Sequence, residues 1–165
     1  STPLYSSAAS DVYKRQKVLG QARDLEKLRG EVSEMRAKMR DNLGTKATAA
    51  GTAANAFDAG VPFDIKQDAG GIVDIEFMVQ YAALAWSHDH PAILRWTDNI
   101  RILEELEQAG LMPASDAVLL REVYKAFRSA SHRQALQKEA GVIDAAQFAD
   151  ERREVRRIWG ELGLT

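Results

Sequence analysis

Residues 66–81, KQDAGGIVDIEFMVQY, place a lysine, two consecutive glycines and two carboxylates at the head of an apolar run. Lys66 can neutralise a phosphate. Gly70 and Gly71 let a backbone approach such a group closely, and the N-terminus of a helix adds amides that favour an anion. Asp74 and Glu76 can orient a nucleotide, a metal-bound water or a loop. Their spacing limits what they do together. On a strand, residues two apart point to one side and can share a metal; on a helix they diverge by about 200°. The apolar spacing after Ile72 favours a helix, whose first turn stabilises carboxylates through its dipole. Two readings follow: a loop and a helix start without chemistry, or the edge of a nucleotide-phosphate site. The GxxxxGK[ST] pattern of a P-loop is absent.

Other candidates are sparser. His88, Asp89 and His90 invite a metal, or else form an exposed polar loop beside Pro91; His132 is far away in sequence. Arg95, Arg101, Arg128 and Arg133 offer a basic surface to an acidic partner, or are solvated faces. No serine has a G-x-S-x-G setting. The chain has no cysteine, which excludes disulfides, thiolate metal sites and cysteine catalysis and fits a reducing cytoplasm.

The elements that must position these residues read as helices. Leu25, Leu28, Val32, Met35 and Met39 form one apolar stripe, predicting a helix from Val18 to about Asp41 with Gly44 as its stop. Residues 45–61, rich in Ala, Thr and Gly, read as a flexible insertion. Pro62 to Lys66 is expected to be extended. The second helix runs from about Ile72 to Trp86, with Ile72, Ile75, Met78, Val79, Ala82 and Trp86 on one face. Thr97 or Asp98 caps a third, with Ile100, Leu103 and Leu106 inward and Gly110 at its end. Ser115 or Asp116 starts a long fourth, striped by Leu119, Val123, Phe127 and Ala130. Asp144 and Gln147 have capping-box spacing ahead of a fifth, lined by Phe148, Val155, Ile158, Trp159 and Leu162. The fold class expected is all-α: a bundle of about five helices with a Gly-Gly loop before the second.

The 165 residues suit one domain with a modest core, and the mix of 45% hydrophobic and 28% charged residues is that of a folded protein. A net charge of -2 gives no reason to expect nucleic acid or an anionic membrane as partner. No apolar run approaches the roughly 20 residues of a membrane span. Residues 1–16, STPLYSSAASDVYKRQ, resemble translated sequencing-adapter read-through and are expected to be non-native. The expected organisation is thus 1–16 artefact, 17–44 linking helix, 45–61 insertion and 62–165 C-terminal helical domain.

The wording of three blocks adds a resemblance. FDIKQDAGGIVDIEFMVQY resembles the F-D-[IL]-K…G-G-I-x-D-I-E-F-x-x-Q-Y signature of bacterial glutamine-synthetase adenylyltransferases. EVSEMRAKMRDNLG upstream and RWTDNIRILEEL downstream resemble two further segments of that family, in the same order. LQ after His132 and ERREVRRIW also fit its C-terminal end. Together they cover roughly residues 17–165.

The resemblance implies a two-half enzyme, each half joining a nucleotidyltransferase core to a helical domain. One half transfers AMP from ATP, with Mg²⁺, to a tyrosine of glutamine synthetase; the other removes it by phosphorolysis. The PII signal protein and glutamine set the balance, in the cytoplasm. The family core holds two Mg²⁺ on an Asp-x-Asp pair, and this sequence contains none. The resemblance therefore implies a core upstream, a chain inactive alone, and a nucleotide-cleft rim at Lys66, Gly70, Gly71, Asp74 and Glu76. Two alternatives are a PII uridylyltransferase, which has a related Lys…Gly-Gly loop, and a stand-alone helical module docking on glutamine synthetase or PII. Glu76-Phe77 and the RWTDNIRILEEL block favour the adenylyltransferase.

Overall fold

The computed structural model describes residues 17–44, 56–139 and 141–165. The adapter-like segment 1–16 and residues 45–55 of the expected insertion lie outside the described residues. Among the described residues the fold is a helical bundle with one small antiparallel ribbon. Its long helices are α1 (Leu25–Leu43), α2 (Ile72–Trp86), α3 (Asn99–Gln108), α4 (Ala114–Leu136) and α5 (Ala149–Glu161). No helix among the described residues is long and apolar enough to cross a membrane.

Helix α2 is the hub. It packs against α1, α3, α4 and α5. Ile75, Met78, Val79, Tyr81 and Ala82 are all buried, so most of its circumference is covered, as expected for a helix apolar nearly all round. Each large apolar side chain buried in this way contributes about 1.5–3 kcal/mol. The observed bounds of α2 coincide with the expected ones, and Asp98 caps α3 through the Ile100 amide at 2.8 Å.

Three expectations are corrected. The first helix starts at Leu25 rather than Val18. Asp24 caps it, accepting from the Glu26 and Lys27 amides, and among the described residues helical positions 17–19 lie ahead of it, separated by a break. Its inward line runs through Leu28, Val32 and Arg36, so Met35 is 62% exposed. Arg36 goes inside in its place, because a buried carboxylate awaits it there. Helix α4 starts one residue earlier than expected, at Ala114, with Asp116 in its first turn paired to Arg157 of α5 at 2.8 Å. Asp144 caps a short 3₁₀ turn, Ala145–Phe148, and α5 begins only after it.

The ribbon joins two distant segments. Strand β1 (Pro62–Asp64) pairs antiparallel with β2 (Val142–Asp144), Phe63 opposite Ile143. Phe63 enters the core edge-on to Phe127 of α4, 6.0 Å between centroids, and Phe127 meets Phe148 at 5.2 Å. The ribbon thereby ties the start of the Gly-Gly loop to both α4 and the approach to α5.

Candidate functional site

The stretch from Asp64 to Asp74 builds itself by local hydrogen bonds. Asp64 Oδ1 accepts from the Lys66 and Gln67 amides, both at 2.9 Å, which makes an Asx turn. Asp68 Oδ2 accepts from the Asp64 amide at 2.7 Å. The loop then folds back on the head of α2. Gly71 N donates to Asp68 O, Ile72 N to Ile65 O and Val73 N to Lys66 O, at 2.9 to 3.1 Å. These are the amides that a helix start normally leaves unpaired.

Buried charges hold the loop from two sides. Arg36 of α1 donates from Nε to Asp74 Oδ1 at 2.6 Å and from Nη2 to the Gln67 carbonyl at 2.6 Å. Asp74 Oδ2 accepts from the Gly70 amide at 2.7 Å and from Arg156 of α5 at 3.3 Å. Arg152 of α5 donates from Nε and Nη2 to the Ala69 carbonyl and from Nη1 to the Ala56 carbonyl. Its guanidinium also lies 3.9 Å from the centre of the Phe63 ring. Burial pushes Arg152 down to about 10, against the opposing pull of Asp68 and Asp74.

The five residues singled out from sequence separate into two groups. Gly70, Gly71 and Asp74 lie inside. Gly70 has φ +80, and a Cβ there would stand 2.9 Å from both Cβ and the carbonyl oxygen of Arg152. A Cβ on Gly71 would stand 2.4 Å from the Ile65 carbonyl oxygen. The two glycines thus permit close approach of protein to protein, and their amides are already bonded. Asp74 is the anchor of the loop. Lys66 and Glu76 face outward, onto an open hollow of about 420 Å³ that also takes in Arg128, Ser131 and His132 of α4. Asp74 and Glu76 therefore never form a carboxylate pair, as helical divergence requires.

Sequence reasoning missed Arg36, Arg152 and Arg156. Arginines on an amphipathic helix are read as solvated, and only a buried carboxylate or carbonyl draws them in. Arg36 does sit on the inward i, i+4 line of Leu28 and Val32, and that register was the available signal. Among the other candidates, His88 Nδ1 donates to the Gly20 carbonyl at 3.0 Å, and Arg101 stacks on Trp96 at 4.7 Å. Among the described residues no group of three His, Asp or Glu side chains could hold a metal ion. These residues do not fit Mg²⁺.

A helical domain that locks a Lys…Gly-Gly…Asp loop against its hub helix defines a class. The family model described as GlnD PII-uridylyltransferase matches residues 33–160. The chain belongs to that family.

Individual relatives carry a second name, bifunctional glutamine synthetase adenylyltransferase/adenylyl-removing enzyme. The chain is 98% identical over 151 residues to the one from Pseudomonas putida, covering 92% of the chain and 16% of the relative. It is 69% identical over 150 residues to that of Pseudomonas aeruginosa, covering 91% and 15%. It is 45% identical over 148 residues to that of Nitrosococcus oceani, covering 90% and 14%. The chain thus spans only 14% to 16% of the length of these relatives. The resemblance drawn from the three sequence blocks is borne out by these relatives.

Proposed function

We propose that this chain is the C-terminal helical domain of an adenylyltransferase that moves AMP from ATP to a tyrosine of glutamine synthetase, pyrophosphate leaving. The full enzyme also removes that AMP by phosphorolysis, uses Mg²⁺ held by a core outside this chain, and works in the cytoplasm. Its activity answers to the PII signal protein and to glutamine. The chain alone is inactive. Its share in the reaction is the rim of the nucleotide cleft, formed by the outward side of the Lys66 loop. Lys66 approaches a phosphate and Glu76 orients a water or a neighbouring loop. Gly70, Gly71 and Asp74 serve the same rim from inside by fixing the backbone that carries Lys66.

One observation carries this reading. An exposed lysine, on a loop that buried arginines of two helices bond to, shares one hollow with a half-exposed glutamate of α2. A purely architectural turn has no need of an unpaired lysine on its outer side, and among the described residues no ion pair engages Lys66. The test is Lys66→Ala in the intact enzyme. Loss of AMP transfer with unchanged thermal unfolding supports the rim; unchanged kinetics sinks it and leaves the loop a hinge.

The name of the family model favours a second reading, UMP transfer to PII. Side-by-side assays of the intact enzyme with ATP and glutamine synthetase, and with UTP and PII, separate the two.

A further inference from the structure

The hollow that receives Lys66 and Glu76 has a second wall, which the sequence blocks do not mark. Arg128 and His132 lie four residues apart on α4, so they project from one face of it, one turn from each other. Ser131 adds a hydroxyl between them. Neither Arg128 nor His132 has an ion-pair partner among the described residues, although arginines elsewhere in the chain are paired. Arg128 Nη1 instead donates to the Tyr124 hydroxyl at 3.4 Å, and the guanidinium lies 5.8 Å from that ring's centre. This contact tethers the guanidinium to the ring, and Arg128 lines both this hollow and a neighbouring one that contains Tyr124. Lys66 and Arg128 bring two positive charges against the one negative charge of Glu76.

We propose that Arg128 and His132, with Lys66, form a pocket for the pyrophosphate portion of the nucleotide. A guanidinium fork matches phosphate oxygens in pairs, and a lysine supplies a compact charge from the opposite side. Glu76 offsets part of the field, which suits a group that is held during transfer and must then leave. The proposal rests on the rim reading and extends it to a ligand class and to residues on a second helix. Arg128 is a direct phosphate contact; Tyr124 is a positioning residue acting through it.

Inorganic pyrophosphate and inorganic phosphate serve as separate competitive probes of AMP transfer in the intact enzyme. Arg128→Ala combined with His132→Ala is expected to weaken pyrophosphate inhibition about tenfold or more, as loss of a charge-assisted hydrogen bond does. KM for ATP should rise with it, and Arg128→Lys should restore part of the loss. Both side chains are exposed, so thermal unfolding of the variants should match the parent. Unchanged pyrophosphate inhibition in the double variant overturns the proposal. So does a loss confined to inorganic phosphate, which would make the hollow a site for the free ion. If Lys66→Ala abolishes transfer while the double variant keeps its pyrophosphate inhibition, the rim stands and only this pocket falls. If Lys66→Ala changes nothing while the double variant loses inhibition, the rim reading falls and the α4 pair binds without it.

Discussion

Arg36 of α1 and Asp74 of α2, 38 residues apart in sequence, meet at 2.6 Å with both side chains fully buried. Around this pair the Gly-Gly loop takes its shape. Asp74 also accepts from the Gly70 amide, while Arg36 donates to the Gln67 carbonyl, so one ion pair secures both limbs of the loop. Taking two charges out of water is costly, and such a pair is weak evidence of net stability. Its specificity is the better-founded contribution: no other carboxylate in the hub helix is placed to hold Gly70.

Removing one partner should therefore cost far more than removing both. Asp74→Ala leaves Arg36 buried without its carboxylate and is expected to lower stability by about 3–5 kcal/mol. Arg36→Met is expected to cost less, because Asp74 keeps Arg156 at 3.3 Å and the Gly70 amide. In the double variant Arg36→Met/Asp74→Ala, the loss should fall well short of the sum. Urea unfolding of the four species gives the coupling. Single losses that add to within about 0.5 kcal/mol would show that the pair does not act as a unit.

Glycine substitutions should separate by position. Gly71→Ala drives a Cβ against the Ile65 carbonyl, and Gly70→Ala combines a left-handed backbone with a clash at Arg152. Overpacking of this kind costs about 1–3 kcal/mol, and the left-handed residue about 1–2 kcal/mol more. Gly30 is the contrast. It stands inside α1 with nothing near its absent side chain, so Gly30→Ala is expected to stabilise by about 0.5–1 kcal/mol. Thermal unfolding of the three variants tests the order, and equal shifts at positions 30 and 71 would contradict it.

Acid should loosen the ribbon corner at Asp144. The Gly60 amide, and then the Ala146 amide, donate to its carboxylate at 2.9 Å and hold it below its ordinary value of 3.8. The folded value is the lower one. The stabilisation is therefore complete above the ordinary value and is lost as pH falls through the lowered folded value. An NMR titration of the Asp144 carboxyl carbon should give a midpoint under 3.8, and Asp144→Asn should flatten the acid limb of the stability curve. A midpoint at or above the ordinary value would count against these hydrogen bonds persisting in solution.

The sequence by itself determined the local course of the chain. The bounds of α2 follow from Gly71 ahead of the apolar run and the polar SHDHP stretch behind it, and Asp98 was legible as a cap because capping chemistry is local. The wording of three blocks was enough to place the family. Tertiary structure decided what lies inside. The partner of β1 is a strand some 80 residues away whose three residues carry no pattern of their own. Met35 and Arg36 are neighbours on α1, and apolar periodicity favours burying the methionine. A rotation of about 100° between successive residues lets Asp74 draw in the arginine instead. The same holds for the candidate site. Lys66, Glu76, Arg128 and His132 come together only because α4 packs across the head of α2, and no local spacing records that meeting. Periodicity reports which face of a helix is apolar; the position of a buried charge depends on a partner elsewhere in the chain.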